Sequence, residues 1–145
     1  IRYLTGSEGR RVFAEEFSPP HGQLSIASRL YAFLQLNSGV TVSYEGALDS
    51  SAPATNCLGE WQIEGTEGVI IFRDWKLCLL KEGMVIEIKE FEPGRHLKNC
   101  LDNFILSLQE EKDLGTEAAE YLKTGRLVHW LKKAVNRDNC LEIKA

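Results

Sequence analysis

The chain has 145 residues, 43% hydrophobic and 26% charged, with a formal net charge of −4. That size supports one domain with a real core, and the composition is that of a globular protein rather than a disordered or fibrous one. No apolar run reaches the length of a membrane span, and the acidic balance argues against a dedicated duplex-binding protein.

In chain order, Arg2 to Thr5 and Arg11 to Phe17 flank Gly6-Ser7-Glu8-Gly9, which predicts a hairpin. Ser18-Pro19-Pro20-His21-Gly22 breaks regular structure, because neither proline supplies a backbone donor. Leu24, Ala27, Leu30, Tyr31 and Leu34 recur at helical spacing, predicting a helix over 23–36 that ends at Asn37-Ser38-Gly39. Val40 to Tyr44 alternates as a strand, and the small, polar residues 47–56 form the longest expected loop.

Residues 57–91 read as a β-meander. Strands are expected over 58–63, 69–73, 75–80 and 84–91, and connections this short force antiparallel pairing. After Pro93-Gly94, the residues Leu97, Cys100, Leu101, Phe104, Ile105 and Leu108 follow a helical stripe expected to be buried against the sheet. A last helical region starts near Thr116, a plausible N-cap, with Glu117 and Glu120 at its positive end; Gly125 is a candidate kink. The expected fold is α+β, a two-layer domain in which an antiparallel meander of about five to seven strands packs against about three helices, with a small half-barrel as the alternative.

The sharpest local pattern lies in residues 126–137. Leu127, Val128, Trp130, Leu131, Ala134 and Val135 fall on one side of a helical wheel, and Arg126, His129, Lys132, Lys133, Asn136 and Arg137 on the other. No acid interrupts the stretch from Lys123 to Arg137. Charge elsewhere is distributed differently: residues 57–92 hold four basic and eight acidic residues, whereas residues 93–145 hold nine and eight. A basic face of this kind can steer an acidic partner. Arg126, His129, Trp130, Lys132, Lys133 and Arg137 are therefore the candidate partner-binding residues.

Other chemistry is sparse. Cys57, Cys78, Cys100 and Cys140 lie 21, 22 and 40 residues apart, without metal-ligand or redox spacing, and are expected to be free thiols. His96 and Cys100 stand at i and i+4, where a Cys–His pair could form, although a small core cysteine beside a polar first-turn histidine explains them better. The acids Glu60, Glu64, Glu67, Asp74, Glu82, Glu87 and Glu90 suit a solvent face of the meander better than an acid–base pair. Trp61, Phe72 and Trp75 could grip a flat ligand or simply pack. Gly6-Ser-Glu-Gly9 and Gly65-Thr-Glu-Gly68 lack the lysine and strand-to-helix context of a phosphate loop.

No catalytic constellation emerges, and no cofactor or metal is implied. The expectation is a non-enzymatic protein-interaction or regulatory domain of a larger intracellular, cytoplasmic protein, with another protein of acidic surface as its partner. Residues 1–145 would be a single domain of that longer polypeptide. The alternatives are nucleic-acid or nucleotide binding through the basic helix and an aromatic, and a small enzyme using a Cys/His pair.

Overall fold

A computed structural model describes residues 1–20, 24, 26–92, 95–110, 118–135, 137 and 139–144, with backbone only for 95–99. The chain divides into two compact units, Ile1–Ser51 with Gly115–Ala145, and Ala52–Leu114. The class is α+β, as the sequence predicts. Among the described residues the strands number eight, and they form two antiparallel four-stranded sheets rather than a single one.

The first unit begins with a single helical turn, α1 (Arg2–Thr5), ended by Gly6 at φ 58°. The predicted strand at this position is thus a turn of helix, because the left-handed glycine closes it one residue after Thr5. Strands β1 (Gly9–Phe17), β2 (Arg29–Leu36) and β3 (Thr41–Ala47) follow. With the terminal strand β8 (Leu141–Glu142) they order as β3-β2-β1-β8. The helix predicted over 23–36 is not found: 29–36 is the central strand β2. Leu30 and Leu34 fit both periods and Tyr31 only the helical one, but Leu30, Ala32, Leu34 and Leu36 alternate inward while Tyr31, Phe33 and Gln35 alternate outward. Pairing with β1 on one side and β3 on the other overrides the helical spacing.

Helix α3 (Ala118–Ala134) lies on the inner face of this sheet. Ala134 is fully buried with Val12, Ala14, Leu34 and Leu36, and Leu127, Trp130, Leu131, Val135, Leu141 and Ile143 pack around them. Helix α3 passes through Gly125 without interruption. The expected N-cap Thr116 and Glu117 lie outside the described residues.

The second unit is the predicted meander, β4 (Trp61–Gly65), β5 (Gly68–Arg73), β6 (Lys76–Lys81) and β7 (Met84–Glu90), in the order β4-β5-β6-β7. Two of its turns have positive φ at both central residues, Asp74 and Trp75 (49° and 65°) and Glu82 and Gly83 (52° and 76°). That backbone matches the twist of the flanking strands, so two residues suffice to reverse the chain. Strand β4 starts at Trp61 rather than 58, where Gly59 at φ 73° interrupts extension. Helix α2 (Arg95–Glu110) follows.

Every fully buried hydrophobic side chain among the described residues belongs to the first unit. Of the stripe expected to be buried, Cys100, Leu101, Phe104, Ile105 and Leu108 are exposed, Phe104 by 51% and Leu108 by 67%, and the Leu97 side chain lies outside the described residues. The periodicity correctly marks a helix, but nothing in the described part of its own unit covers that face.

These contrasts generate two predictions. Leu36→Ala should cost about 2–5 kcal/mol, because a fully buried side chain leaves a cavity, whereas Phe104→Ala should cost about 1 kcal/mol or less. Urea denaturation of the two variants checks the difference. Two glycines should respond in opposite directions. A Cβ on Gly68 would stand 2.6 Å from the Leu80 carbonyl oxygen at a φ of 144°, so Gly68→Ala should destabilise by about 1–3 kcal/mol. A Cβ on Gly125 meets nothing within 4 Å on the helix, so Gly125→Ala should stabilise by about 0.5–1 kcal/mol in the same assay.

Candidate functional site

Helix α3 presents the residues singled out in the sequence. Its start is fixed by one guanidinium. Arg2 on α1 donates two hydrogen bonds of 2.6 Å to the Glu8 carboxylate, one of 3.1 Å to Glu120, and others to the Glu120 carbonyl and the Thr124 hydroxyl. The paired, fork-like geometry suits arginine in particular. Lys123 also pairs with Glu120. The Arg2 guanidinium holds the Glu8 carboxyl below its ordinary range, and Lys123 followed by Arg2 does the same for Glu120; Arg2 is itself raised, first by Glu8. With its start held there and Ala134 buried on the sheet, the helix cannot turn about its axis.

Its outer face is therefore fixed. Arg126, His129, Lys132, Lys133 and Arg137 are exposed, and Trp130 is half-buried at the boundary. Val128, expected on the inner side, is 45% exposed. The Lys133 ammonium lies 4.9 Å from the centre of the Trp130 ring, a cation–π distance, and the His129 ring meets Trp130 edge-on at 6.4 Å. His129, Trp130, Lys132, Lys133 and Arg137, with Leu141, line a shallow depression of about 500 Å³. Arg126 lines a second depression of about 370 Å³ with Lys123 and Lys144. Asn136 lies outside the described residues.

The other candidates fare differently. The four cysteines are free. Cys100 is exposed, so it is not the core residue offered as one explanation; the His96 side chain and all of His21 lie outside the described residues. Four of the seven meander acids pair with cations rather than with one another: Glu60 with Arg73 (2.8 Å), Glu67 with Lys81 (3.2 Å), and Glu87 and Glu90 with Lys76 (3.5 and 3.7 Å). Trp61 stands opposite Phe72 in the β4–β5 ladder, while Trp75 sits in a turn. Among the described residues, no group of three or more His, Cys, Asp or Glu could hold a metal ion, and no helix is long and apolar enough to cross a membrane.

The sequence reading missed the outer face of the first sheet. Phe13 stands opposite Phe33, and Phe17 stacks on Tyr31 with ring centres 5.6 Å apart and planes within 4°. The Tyr31 hydroxyl donates a 2.7 Å hydrogen bond to Glu45, which raises its pKa. Reading 29–36 as a strand would have exposed this face, because Tyr31 and Phe33 then alternate away from the core.

No family model and no curated protein sequence matches the chain. Solved structures match its fold. The aldose-aldose oxidoreductase of Caulobacter crescentus, complexed with glycerol, aligns with 97% of the chain at 17% identity and a TM-score of 0.79. An oxidoreductase from Agrobacterium radiobacter, in complex with NAD+, L-tartaric acid and magnesium, aligns with 98% at 14% identity and a TM-score of 0.80. The scyllo-inositol dehydrogenase of Lactobacillus casei, with NAD(H) and scyllo-inositol bound, aligns with the whole chain at 18% identity and a TM-score of 0.74. The chain spans only 43%, 45% and 45% of these proteins. At such identities the likeness is one of fold. It nevertheless overturns the expectation of a non-enzymatic protein-interaction or regulatory domain, since the fold is one these oxidoreductases contain. A basic helix face was the wrong ground for that expectation, because solvated charge on a docked helix occurs in enzymes and regulators alike.

The Arg2 cluster gives a pH prediction. Glu8 and Glu120 have folded-state pKa values below the ordinary value of 4.5, so the unfolded chain takes up protons first as pH falls. Their contribution is complete above about pH 4.5 and is lost as pH drops through the lower folded-state values. The Tm of the parent should therefore fall more steeply between about pH 5 and 3 than that of Arg2→Gln. Equal slopes in circular-dichroism melts would show that the cluster contributes nothing to stability.

Proposed function

We propose that this chain is the part of an oxidoreductase that does not grip the dinucleotide, in an enzyme that uses a nicotinamide cofactor on a small polyhydroxylated substrate. The observation that carries the reading is the fold likeness, which extends over nearly all of the chain in proteins crystallised with glycerol, L-tartaric acid and scyllo-inositol. Each of those ligands is rich in hydroxyl groups, and two of the structures also contain NAD.

The chain's own residues do not fit a dinucleotide. That site needs a parallel sheet and a glycine-rich loop leading from a strand to a helix N-terminus, where backbone N–H groups meet the pyrophosphate. Both sheets here are antiparallel. Gly6 to Gly9 leads from α1 into a strand, and Gly65 to Gly68 closes the β4–β5 hairpin. In this reading the chain supplies a rigid sheet-and-helix scaffold, and the dinucleotide is held elsewhere in the enzyme.

The test uses the natural full-length polypeptide that carries this chain. Incubated with NAD+ and a panel of aldoses, inositols and hydroxy acids, it should form NADH, read at 340 nm, with at least one of them. If that polypeptide neither binds NAD+ nor reduces it with any member of the panel, the reading is wrong.

A further inference from the structure

The outer face of the first sheet is aromatic at its centre and charged on either side. Phe13 and Phe33 stand opposite each other in the β1–β2 ladder and form the middle row. Phe33 is 46% exposed, and the stacked rings of Tyr31 and Phe17, in the next two rows, are exposed as well. A solvated sheet face is ordinarily polar, and an exposed apolar patch marks a contact surface. The charges beside the patch are ordered. Arg11 lies two residues from Phe13 in one direction along β1, and Glu15 two residues in the other. Glu45 on β3 shares the row of Glu15, with Tyr31 between them. Among the described residues, Arg11 and Glu15 are exposed and form no ion pair, although Glu142 on β8 stands opposite Arg11 in the ladder.

We propose that this face docks on the same face of a second copy of the chain, about a two-fold axis running along the Phe13–Phe33 row. The order cation, aromatic, acid is its own complement about that row. A two-fold there lays Phe13 and Phe33 on their counterparts and sets Arg11 over Glu15 of the partner subunit. The pair occurs twice, because an isologous contact repeats every interaction. Packed sheets lie about 10 Å apart, a gap that an arginine and a glutamate reaching from opposite sides can close. On β3 the Thr41 hydroxyl, in the row of Arg11, meets Glu45 of the partner subunit as a donor. Other settings fail on charge. An axis along the Glu15 row would place like carboxylates against each other. An axis along the strands, between β1 and β2, would set Arg11 over Gln35 and leave both charges without an opposite. A different protein would need this alternation by coincidence, whereas a second copy carries it by construction. The contact does not depend on the oxidoreductase reading.

The natural full-length polypeptide that carries this chain, followed by sedimentation velocity from about 1 to 100 μM, should associate as its concentration rises. Arg11→Glu and Glu15→Arg should each weaken association about tenfold or more, because each reversal turns two attractive pairs into repulsive ones. The two changes combined should restore it to within about threefold, since the pairs form again with their signs exchanged. Glu16→Arg makes the same charge change one residue along, where the strand turns the side chain to the opposite face, and should leave association within about twofold. If a charge reversal does not fold, Phe33→Gln replaces it: that side chain stands in solvent in the single chain, and its loss should weaken association about tenfold. A polypeptide that stays monomeric throughout the range overturns the proposal. So does association that none of these changes weakens, which would use another face. Single losses that the combination does not restore overturn it too, because Arg11 and Glu15 would then not meet across the axis.

Discussion

The close approach of α3 to the first sheet is the constraint on which the unit depends, and small residues make it possible. Ala14 on β1 and Ala134 at the end of the helix are both fully buried at the contact. Gly9 has no side chain where one would stand 2.7 Å from the Ile143 methyl and 3.0 Å from Leu127. Larger groups at Ala14 or Ala134 would crowd the contact, and overpacking of this kind costs about 1–3 kcal/mol, whereas at Gly9 the atoms met are the mobile ends of Ile143 and Leu127. Because the contact is tight, the helix has one rotational setting. Burying Leu127, Leu131 and Ala134 leaves His129, Lys132 and Lys133 with no direction but outward. The location of the charged face is thus a consequence of the core, not an independent feature of the surface.

The second unit is built on a different balance. Its meander needs little from the rest of the chain to form: ladder hydrogen bonds, two-residue turns with left-handed central residues and cross-strand ion pairs are all local. Those ion pairs are exposed and contribute little. No described side chain of this unit is fully buried, and Trp61, Ile63, Ile70, Met84, Val85 and Ile86 are all exposed, as is the apolar stripe of α2. A side chain left in water forgoes about 1.5–3 kcal/mol of burial energy. Apolar exposure on this scale is unusual for a protein that acts as an isolated monomer.

What the sequence makes legible here is whatever local geometry decides. The strands β5 to β7 follow from alternation and from two-residue turns. Helices α2 and α3 follow from stripes long enough to exclude a strand. The basic face of α3 follows from a wheel that one buried alanine then confirms. The sequence is silent or misleading where distant pairing decides. Leu30 and Leu34 satisfy both periods, and pairing with β1 on one side and β3 on the other selects the strand. Misreading that segment hid the aromatic outer face of the first sheet. It also hid the split of eight strands into two sheets, which depends on which edges meet rather than on any residue pattern.

Function was the least legible property, for a related reason. Catalytic and cofactor motifs advertise themselves in sequence because they place reactive groups at fixed spacings. A domain that serves such a site without holding those groups leaves no comparable trace, so their absence does not separate a regulator from one part of an enzyme. Fold likeness carries information that motifs here do not, although a fold by itself hosts many chemistries. Local electrostatics carries information of another kind. The ten cations and nine acids of the first unit nearly balance, so the basic face of α3 is a local excess set by which residues the core turns outward and not by the composition of the unit.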